Sequence, residues 1–210
     1  MLTVLFIFLI AFLCTFILTP LSRTLGRRLG IIDIPGELSI HNPPVPRSGG
    51  LAIFIGFLMA IGYAWAKGLF NNEGKIFFGI LIGATVICLA GFLDDVHRIS
   101  PPKKFLLELL GAAITIGLGL QVGTFPLLGV GVFLALFYLI GGTNALNLLD
   151  GMDGLAAGTT AIAAFFFAIL ASVQGKTLIL VLALATLGTT LGFLPYNFNI
   201  KFRFGNFKLF

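Results

Sequence analysis

Asn144-Ala-Leu-Asn-Leu-Leu-Asp-Gly-Met-Asp-Gly-Leu155 lies between two apolar stretches, about 125–143 and 155–174, that contain no Asp, Glu, Lys or Arg. Each flank approaches the roughly 20 residues that an α-helix needs to cross the hydrocarbon core of a bilayer. The stretch between them sets two amides and two carboxylates, Asn144, Asn147, Asp150 and Asp153, at three-residue intervals, with leucines at 146, 148, 149 and 155. Polar groups that close to lipid cost free energy and mark function more often than filler. A plain hydrophilic turn is the alternative, but regular Asn/Asp spacing among leucines favours a site. This pattern of apolar span, polar string and apolar span decides the fold class.

Read outward, the whole chain repeats it. Of 210 residues, 58% are hydrophobic and 10% charged, and the mean hydropathy is +1.09. Soluble domains carry about 25% charged residues, so the expectation is an all-α polytopic membrane helix bundle forming a single membrane domain over 1–210. Seven spans are predicted, at about 2–19, 49–66, 76–93, 105–121, 125–143, 155–174 and 177–195. The fourth is the least regular, because Glu108 lies one turn inside it. Residues 2–19 have neither the charged start nor the small-residue cleavage site of a signal peptide, which predicts a retained helix. Cys14 and Cys88 both fall in apolar segments and read as small buried hydrophobes rather than a disulfide or metal pair.

The 13 Lys and Arg against 8 Asp and Glu give a net charge of +5. No basic run interleaved with aromatics accompanies that excess, so nucleic acid is not the expected partner. The positive-inside rule accounts for it with the N-terminus outside: Arg23, Arg27, Arg28, Arg47, Arg98, Lys103, Lys104, Lys201, Arg203 and Lys208 then face the cytoplasm, and Lys67, Lys75 and Lys176 do not. Every acid except Glu73, and both His41 and His97, falls on or near the same face.

In the first cytoplasmic loop, leucines at 21, 25 and 29 with Arg23, Arg27 and Arg28 elsewhere on the wheel predict an interfacial amphipathic helix over 21–32. Pro35-Gly36 and Pro43-Pro44-Val45-Pro46 break it. Arg47-Ser-Gly49-Gly50 follows. Glycines permit close backbone approach to a ligand and Arg47 can hold a phosphate bidentately. A flexible helix entry with a snorkelling arginine explains those residues equally well. At the end of the third span stands Gly91-Phe-Leu-Asp94-Asp95-Val-His97-Arg98. Asp94 and Arg98, four apart, can form a helix-terminal ion pair, but the second carboxylate asks for another cation, either a divalent ion or a nearby lysine. Lys103 and Lys104 follow Pro101-Pro102, and either can face an anionic lipid headgroup. On one continuous helix Asn144 and Asp153 would face opposite ways, so Gly151 and Gly154 are the expected break that lets Asn147, Asp150 and Asp153 converge. Oxygen ligands of that kind suit Mg²⁺, with Mn²⁺ as a substitute. GxGxxG and GxxxxGK[ST] loops are absent, and the Gly79/Gly83 and Gly188/Gly192 pairs predict helix packing.

Three stretches together, His41-Asn-Pro-Pro-Val-Pro-Arg-Ser-Gly-Gly50, Gly91-Phe-Leu-Asp-Asp95 with Lys104 after it, and Asn144 to Leu155, resemble the polyprenyl-phosphate N-acetylhexosamine-1-phosphate transferases of glycosyltransferase family 4. Pro-Val-Pro-Arg-Ser-Gly-Gly is more similar to the N-acetylglucosamine-type enzymes than to the muramoyl-pentapeptide translocases. The resemblance implies Mg²⁺-dependent attack of a polyprenyl phosphate on the sugar-bearing phosphorus of a UDP-N-acetylhexosamine at the cytoplasmic face of the cell inner membrane, with release of UMP. It implies that Asp94 and Asp95 position the lipid phosphate and help hold the metal, that Asn147 and Asp150 line the metal–diphosphate site, and that Gly151 and Asp153 meet the uracil side. Oligomers, a homodimer first among them, are implied in the same way. The departure is at the end: Tyr196-Asn-Phe-Asn199 begins a family motif of the type Phe-Asn-Pro-Ala-Lys-Ile-Phe-Met-Gly-Asp-Ser-Gly, but 200–210 depart from it and Asn206 stands about where the aspartate belongs. This reads as a truncated or frame-disrupted member. An ion-coupled transporter, with acids near mid-bilayer, and an inactive fragment of the transferase family are the alternatives.

Overall fold

The computed structural model describes residues 2–33, 45–70, 73–120, 128–150, 153–198, 203–204 and 207–208. Seven helices run through them: α1 (Leu2–Arg28), α2 (Gly49–Ala66), α3 (Gly74–His97), α4 (Pro101–Gly117), α5 (Leu128–Leu149), α6 (Leu155–Val173) and α7 (Thr177–Asn197). The extended pieces among the described residues are two antiparallel two-residue pairings, β1 (Ile32–Asp33) with β2 (Val45–Pro46) and β3 (Arg203–Phe204) with β4 (Phe207–Lys208). Six of the helices are long and apolar enough to cross a membrane; α4, with 17 residues, is the exception. The chain is a multi-pass membrane helix bundle.

Two compact units divide it. The first holds residues 1–69 and 150–210, the second 70–149. In the first, α1 and α7 lie at the centre, with α2 packed against both and α6 against α7. Small residues make this possible. The buried positions of α1 are Ile7, Ala11, Thr15, Thr19, Ser22 and Gly26, a stripe repeating every three or four residues. A Cβ on Gly188 would meet Ala11 and the carbonyl oxygen of Phe8, and one on Gly192 would meet the carbonyl oxygen of Phe12. The GxxxG reading of that pair is therefore correct: backbones touch where side chains are missing. Between α1 and α2, the space above Gly56 is filled by Thr15, whose hydroxyl donates to the Ala52 carbonyl at 3.5 Å.

The predicted amphipathic helix over 21–32 is not a separate element. α1 continues through Pro20 to Arg28, with Leu21, Leu25 and Leu29 exposed on one side and Ser22 and Gly26 buried on the other. Proline removes one backbone donor. The helix continues past it because Ser22 and Gly26 are packed on its buried side. Thr19, Ser22 and Thr24 donate their hydroxyls to carbonyls three or four residues back along this stretch. At its far end the Ser48 hydroxyl donates to the Ser22 carbonyl (2.7 Å) and fills the space over Gly26. That contact ties the Arg47–Gly50 corner to α1.

In the second unit α4 packs between α3 and α5. Gly79, Gly83 and Gly111 bring α3 and α4 together, and the Thr115 hydroxyl lies between the Gly79 (3.2 Å) and Gly111 (2.9 Å) carbonyls. Helix α3 stops at His97 because Arg98 takes a left-handed conformation, φ 48°, with its N–H donated to the Asp94 carbonyl at 2.8 Å. Ser100 then opens α4, where Pro101 and Pro102 occupy the first helical positions and lose no hydrogen bond. This two-helix hairpin, with α5 returning antiparallel to α4, brings the C-terminal end of α3, the N-terminal end of α4 and the C-terminal end of α5 to one end of the unit.

Candidate functional site

Three polar side chains meet at that end. Lys104, in the first turn of α4, places Nζ 3.0 Å from Asp94 Oδ2 and 3.4 Å from Asn147 Oδ1. The ion pair is partly sheltered, with the Lys104 side chain 18% and that of Asp94 30% exposed. Asp94 therefore takes Lys104, ten residues on, rather than Arg98 one turn away. Asp95, half-buried beside Asp94, also has an interaction partner.

Helix electrostatics argue that these charges are not there to stabilise helices. A carboxylate is disfavoured at the negative C-terminal end of a helix, and an ammonium at the positive N-terminal end. Asp94 stands near the C-terminus of α3 and Lys104 near the N-terminus of α4. Each is misplaced on its own helix and relieved by the other. A partly exposed pair of this kind contributes only about 0–1 kcal/mol to stability.

One helical turn deeper lies a second contact between α4 and α5. Asn144 Nδ2 donates to Glu108 Oε2 at 2.6 Å and to the Ile140 carbonyl at 3.0 Å. Glu108 is 2% exposed. Burying a carboxyl in an apolar helix pair costs several kcal/mol, and one hydrogen bond returns about 1–3 of it. The contacts 104–147 and 108–144 form two rungs between antiparallel α4 and α5, the outer one exposed and the inner one part-buried. In the sequence Glu108 stands out only as an irregularity in a membrane span. An acid one turn after Lys104 inside an apolar helix is itself a signal of function, and it is the signal that finds this residue.

Helix α5 runs to Leu149, beyond the predicted end at about 143, so Asn144 and Asn147 sit on its last turns. The break expected in this motif is present: α6 starts at Leu155, and Gly154 before it has φ +71°. Gly151 lies outside the described residues.

The other predicted residues belong to the first unit. Asp150 follows α5 directly. It keeps solvent exposure, yet partial loss of hydration raises its carboxyl above the ordinary value. Asp153 is exposed and has a partner. The Gly154 N–H donates to Asn197 Oδ1 (3.1 Å), and a Cβ there would strike the Phe198 ring at 2.6 Å. Arg47 is exposed and has a partner. Gly49 leaves room for the Phe193 ring, 2.7 Å from where its Cβ would be, whereas nothing stands within 4 Å of a Cβ on Gly50. His41 and 199–202, like Asn206, lie outside the described residues.

Among the described residues no three His, Cys, Asp or Glu side chains cluster as a ready metal site. The donor chemistry of the outer rung nevertheless fits Mg²⁺. Two hard oxygens, Asp94 Oδ2 and Asn147 Oδ1, from helices α3 and α5, already converge on one positive charge, the Lys104 ammonium.

Comparison with known proteins places the chain in a family. The chain is 36% identical over 201 residues to a probable undecaprenyl-phosphate N-acetylglucosaminyl 1-phosphate transferase of Bacillus subtilis, covering 91% of this chain and 55% of that protein. It is 32% identical over 213 residues to the decaprenyl-phosphate N-acetylglucosaminephosphotransferase of Mycobacterium leprae, covering 90% and 53%. It is 38% identical over 175 residues to the phospho-N-acetylmuramoyl-pentapeptide-transferase of Streptococcus pneumoniae, covering 72% and 51%. The chain thus spans about half the length of the curated relatives it matches. The pattern of glycosyl transferase family 4 matches residues 77–201, which include nearly all of α3 and the whole of α4 to α7 with both rungs, and the chain belongs to that family.

Proposed function

We propose that this protein transfers N-acetylhexosamine-1-phosphate from a UDP-sugar to a polyprenyl phosphate at the cytoplasmic face of the cell inner membrane, releasing UMP. The observation that carries the reading is the convergence of Asp94, Lys104 and Asn147 at one end of the α3–α5 unit. Ten of the 13 Lys and Arg fall on that side when the N-terminus is outside, which supports the cytoplasmic orientation.

In the proposed reaction an oxygen of the lipid phosphate bonds to the sugar-bearing phosphorus. The bond from that phosphorus to the bridging oxygen breaks, and the oxygen leaves with UMP. A phosphate monoester is already largely deprotonated near neutral pH, so positioning and charge neutralisation matter more than a strong base. Asp94 and Asn147 are the oxygen donors that would hold Mg²⁺, and family resemblance assigns Asp95 and Asp150 to the same role. The chemistry Mg²⁺ supplies when bound is neutralisation of the diphosphate and of the charge on the leaving group. Lys104 orders Asp94 and Asn147 and carries the charge to which a substrate phosphate pairs. Arg47 and Gly50, both exposed, and half-buried Gly49 between them are assigned to phosphate binding at the start of α2, and Gly151 and Asp153 to the uracil end.

The test is UMP release from UDP-N-acetylglucosamine by the purified protein in the presence of polyprenyl phosphate and Mg²⁺. Release that stops with EDTA and returns with Mg²⁺ or Mn²⁺ is expected. No metal-dependent UMP release from any UDP-N-acetylhexosamine would overturn the proposal.

A further inference from the structure

We propose that Glu108 is a positioning residue: it locks the Asn144 amide so that the carbonyl oxygen, Oδ1, is the atom offered to a hydrogen-bond donor on the nucleotide sugar. This deepens the function proposed above and rests on it.

The orientation of the amide follows from its partners. The Ile140 carbonyl can only accept, so the atom facing it must be the amino nitrogen. The same nitrogen reaches Glu108 Oε2 at 2.6 Å. Both N–H groups are thereby committed, one to the helix backbone and one to the buried carboxyl, and the atom left for a ligand is an acceptor. Without Glu108 only the Ile140 contact favours this orientation, and a turned-over amide that presents N–H costs the loss of that one hydrogen bond. A carboxyl that is 2% exposed is a costly way to join two helices that Gly, Ala and Leu would join more cheaply. It is an effective way to fix one atom.

The inner rung also differs in kind from the outer. Lys104, Asp94 and Asn147 handle charge. Asn144, half-buried and neutral, suits a neutral donor: the N–H of the base, or a hydroxyl or amide N–H of the sugar.

Four proteins test this: the parent, Glu108→Gln, Asn144→Asp and the double variant, each purified in detergent. Thermal unfolding without substrate reads the contact alone. Glu108→Gln should unfold close to the parent, since a glutamine oxygen still accepts. Asn144→Asp should unfold at a clearly lower temperature, because it loses both donors and faces carboxyl to carboxyl. The double variant should recover part of that loss, since the introduced glutamine amide can donate to the introduced carboxylate while the contact to the Ile140 carbonyl stays lost. Kinetics read the positioning. Glu108→Gln should raise the KM for UDP-N-acetylglucosamine about tenfold, since glutamine's own N–H competes for Oδ1, with kcat within about twofold. The double variant should not recover KM. A parallel rise in the inhibition constant of UMP assigns the donor to the nucleotide; an unchanged one assigns it to the sugar.

A purely structural role predicts parental KM in Glu108→Gln, and that result overturns the proposal. So does a double variant no more stable than Asn144→Asp alone. Should the parent release no UMP at all, the proposed function falls, while the unfolding temperatures still decide the Glu108–Asn144 lock by the recovery, or its failure, in the double variant.

Discussion

The two compact units solve opposite problems with opposite residues. In the first, α7 buries Leu178, Val181, Ala183, Ala185, Leu187, Gly188, Thr189, Thr190 and Gly192. In the second, α5 buries only Ala135 among its described side chains and leaves Phe133, Phe137 and Tyr138 about two-thirds exposed. The first unit is held by backbones in contact through small residues, the second by a glycine-lined hairpin, α3–α4, and two polar rungs to α5. Lipid tails are as apolar as leucine, so helices gain little by burying leucines against each other there, and close packing of small groups has to supply the attraction. The unit that packs tightly carries Arg47, Asp150 and Asp153 outside its helices; the loosely packed one carries Asp94, Lys104, Glu108, Asn144 and Asn147 on its helices.

If that division is correct, the first unit breaks by size and the second by charge. Gly192→Leu should be the most damaging single change. Its side chain would run into the Phe12 carbonyl and the Phe16 N–H, backbone atoms that cannot turn aside, at a cost of about 3 kcal/mol or more. Loss of a monodisperse peak in detergent chromatography would show it. Asp94→Asn should do the reverse. It keeps the shape and loses the charge at Lys104, so UMP release should fall about 100-fold or more, while the unfolding temperature reports a change under about 1 kcal/mol. A variant that unfolds as readily as it loses activity would erase the contrast.

Gly154→Ala sharpens the comparison at the start of α6. The residue would be held at φ +71° with its methyl against the Phe198 ring, and about 2 kcal/mol of stability should be lost by thermal unfolding. The smallest effect is expected at the hairpin. Arg98→Gly relieves a left-handed non-glycine residue and should be neutral or stabilising by about 1 kcal/mol, whereas a β-branched residue there should destabilise. A strong loss of stability in Arg98→Gly would show that the arginine side chain, and not the turn, closes α3 onto α4.

Much of this is legible in the sequence. Hydropathy alone places α2 at 49–66, because nothing charged or kinked interrupts it. It ends α1 too early, at 19, since proline and three arginines imitate a helix end in water, and the helix simply continues through both. The need for a cation near the paired carboxylates is legible too, and Lys104 supplies one to Asp94. The inner rung is not. Glu108 and Asn144 are 36 positions apart on different helices, and no periodicity within either helix relates them. Only the α4–α5 register, set by packing across the whole unit, aligns one with the other.

A lysine that bridges Asp94 and Asn147 has a consequence for biogenesis. The acid near the end of α3 does not have to await a divalent ion before it can be tolerated at a membrane border, because the next helix brings its own counter-charge ten residues later. The hairpin can be delivered to the bilayer with Asp94 already paired as soon as α4 emerges.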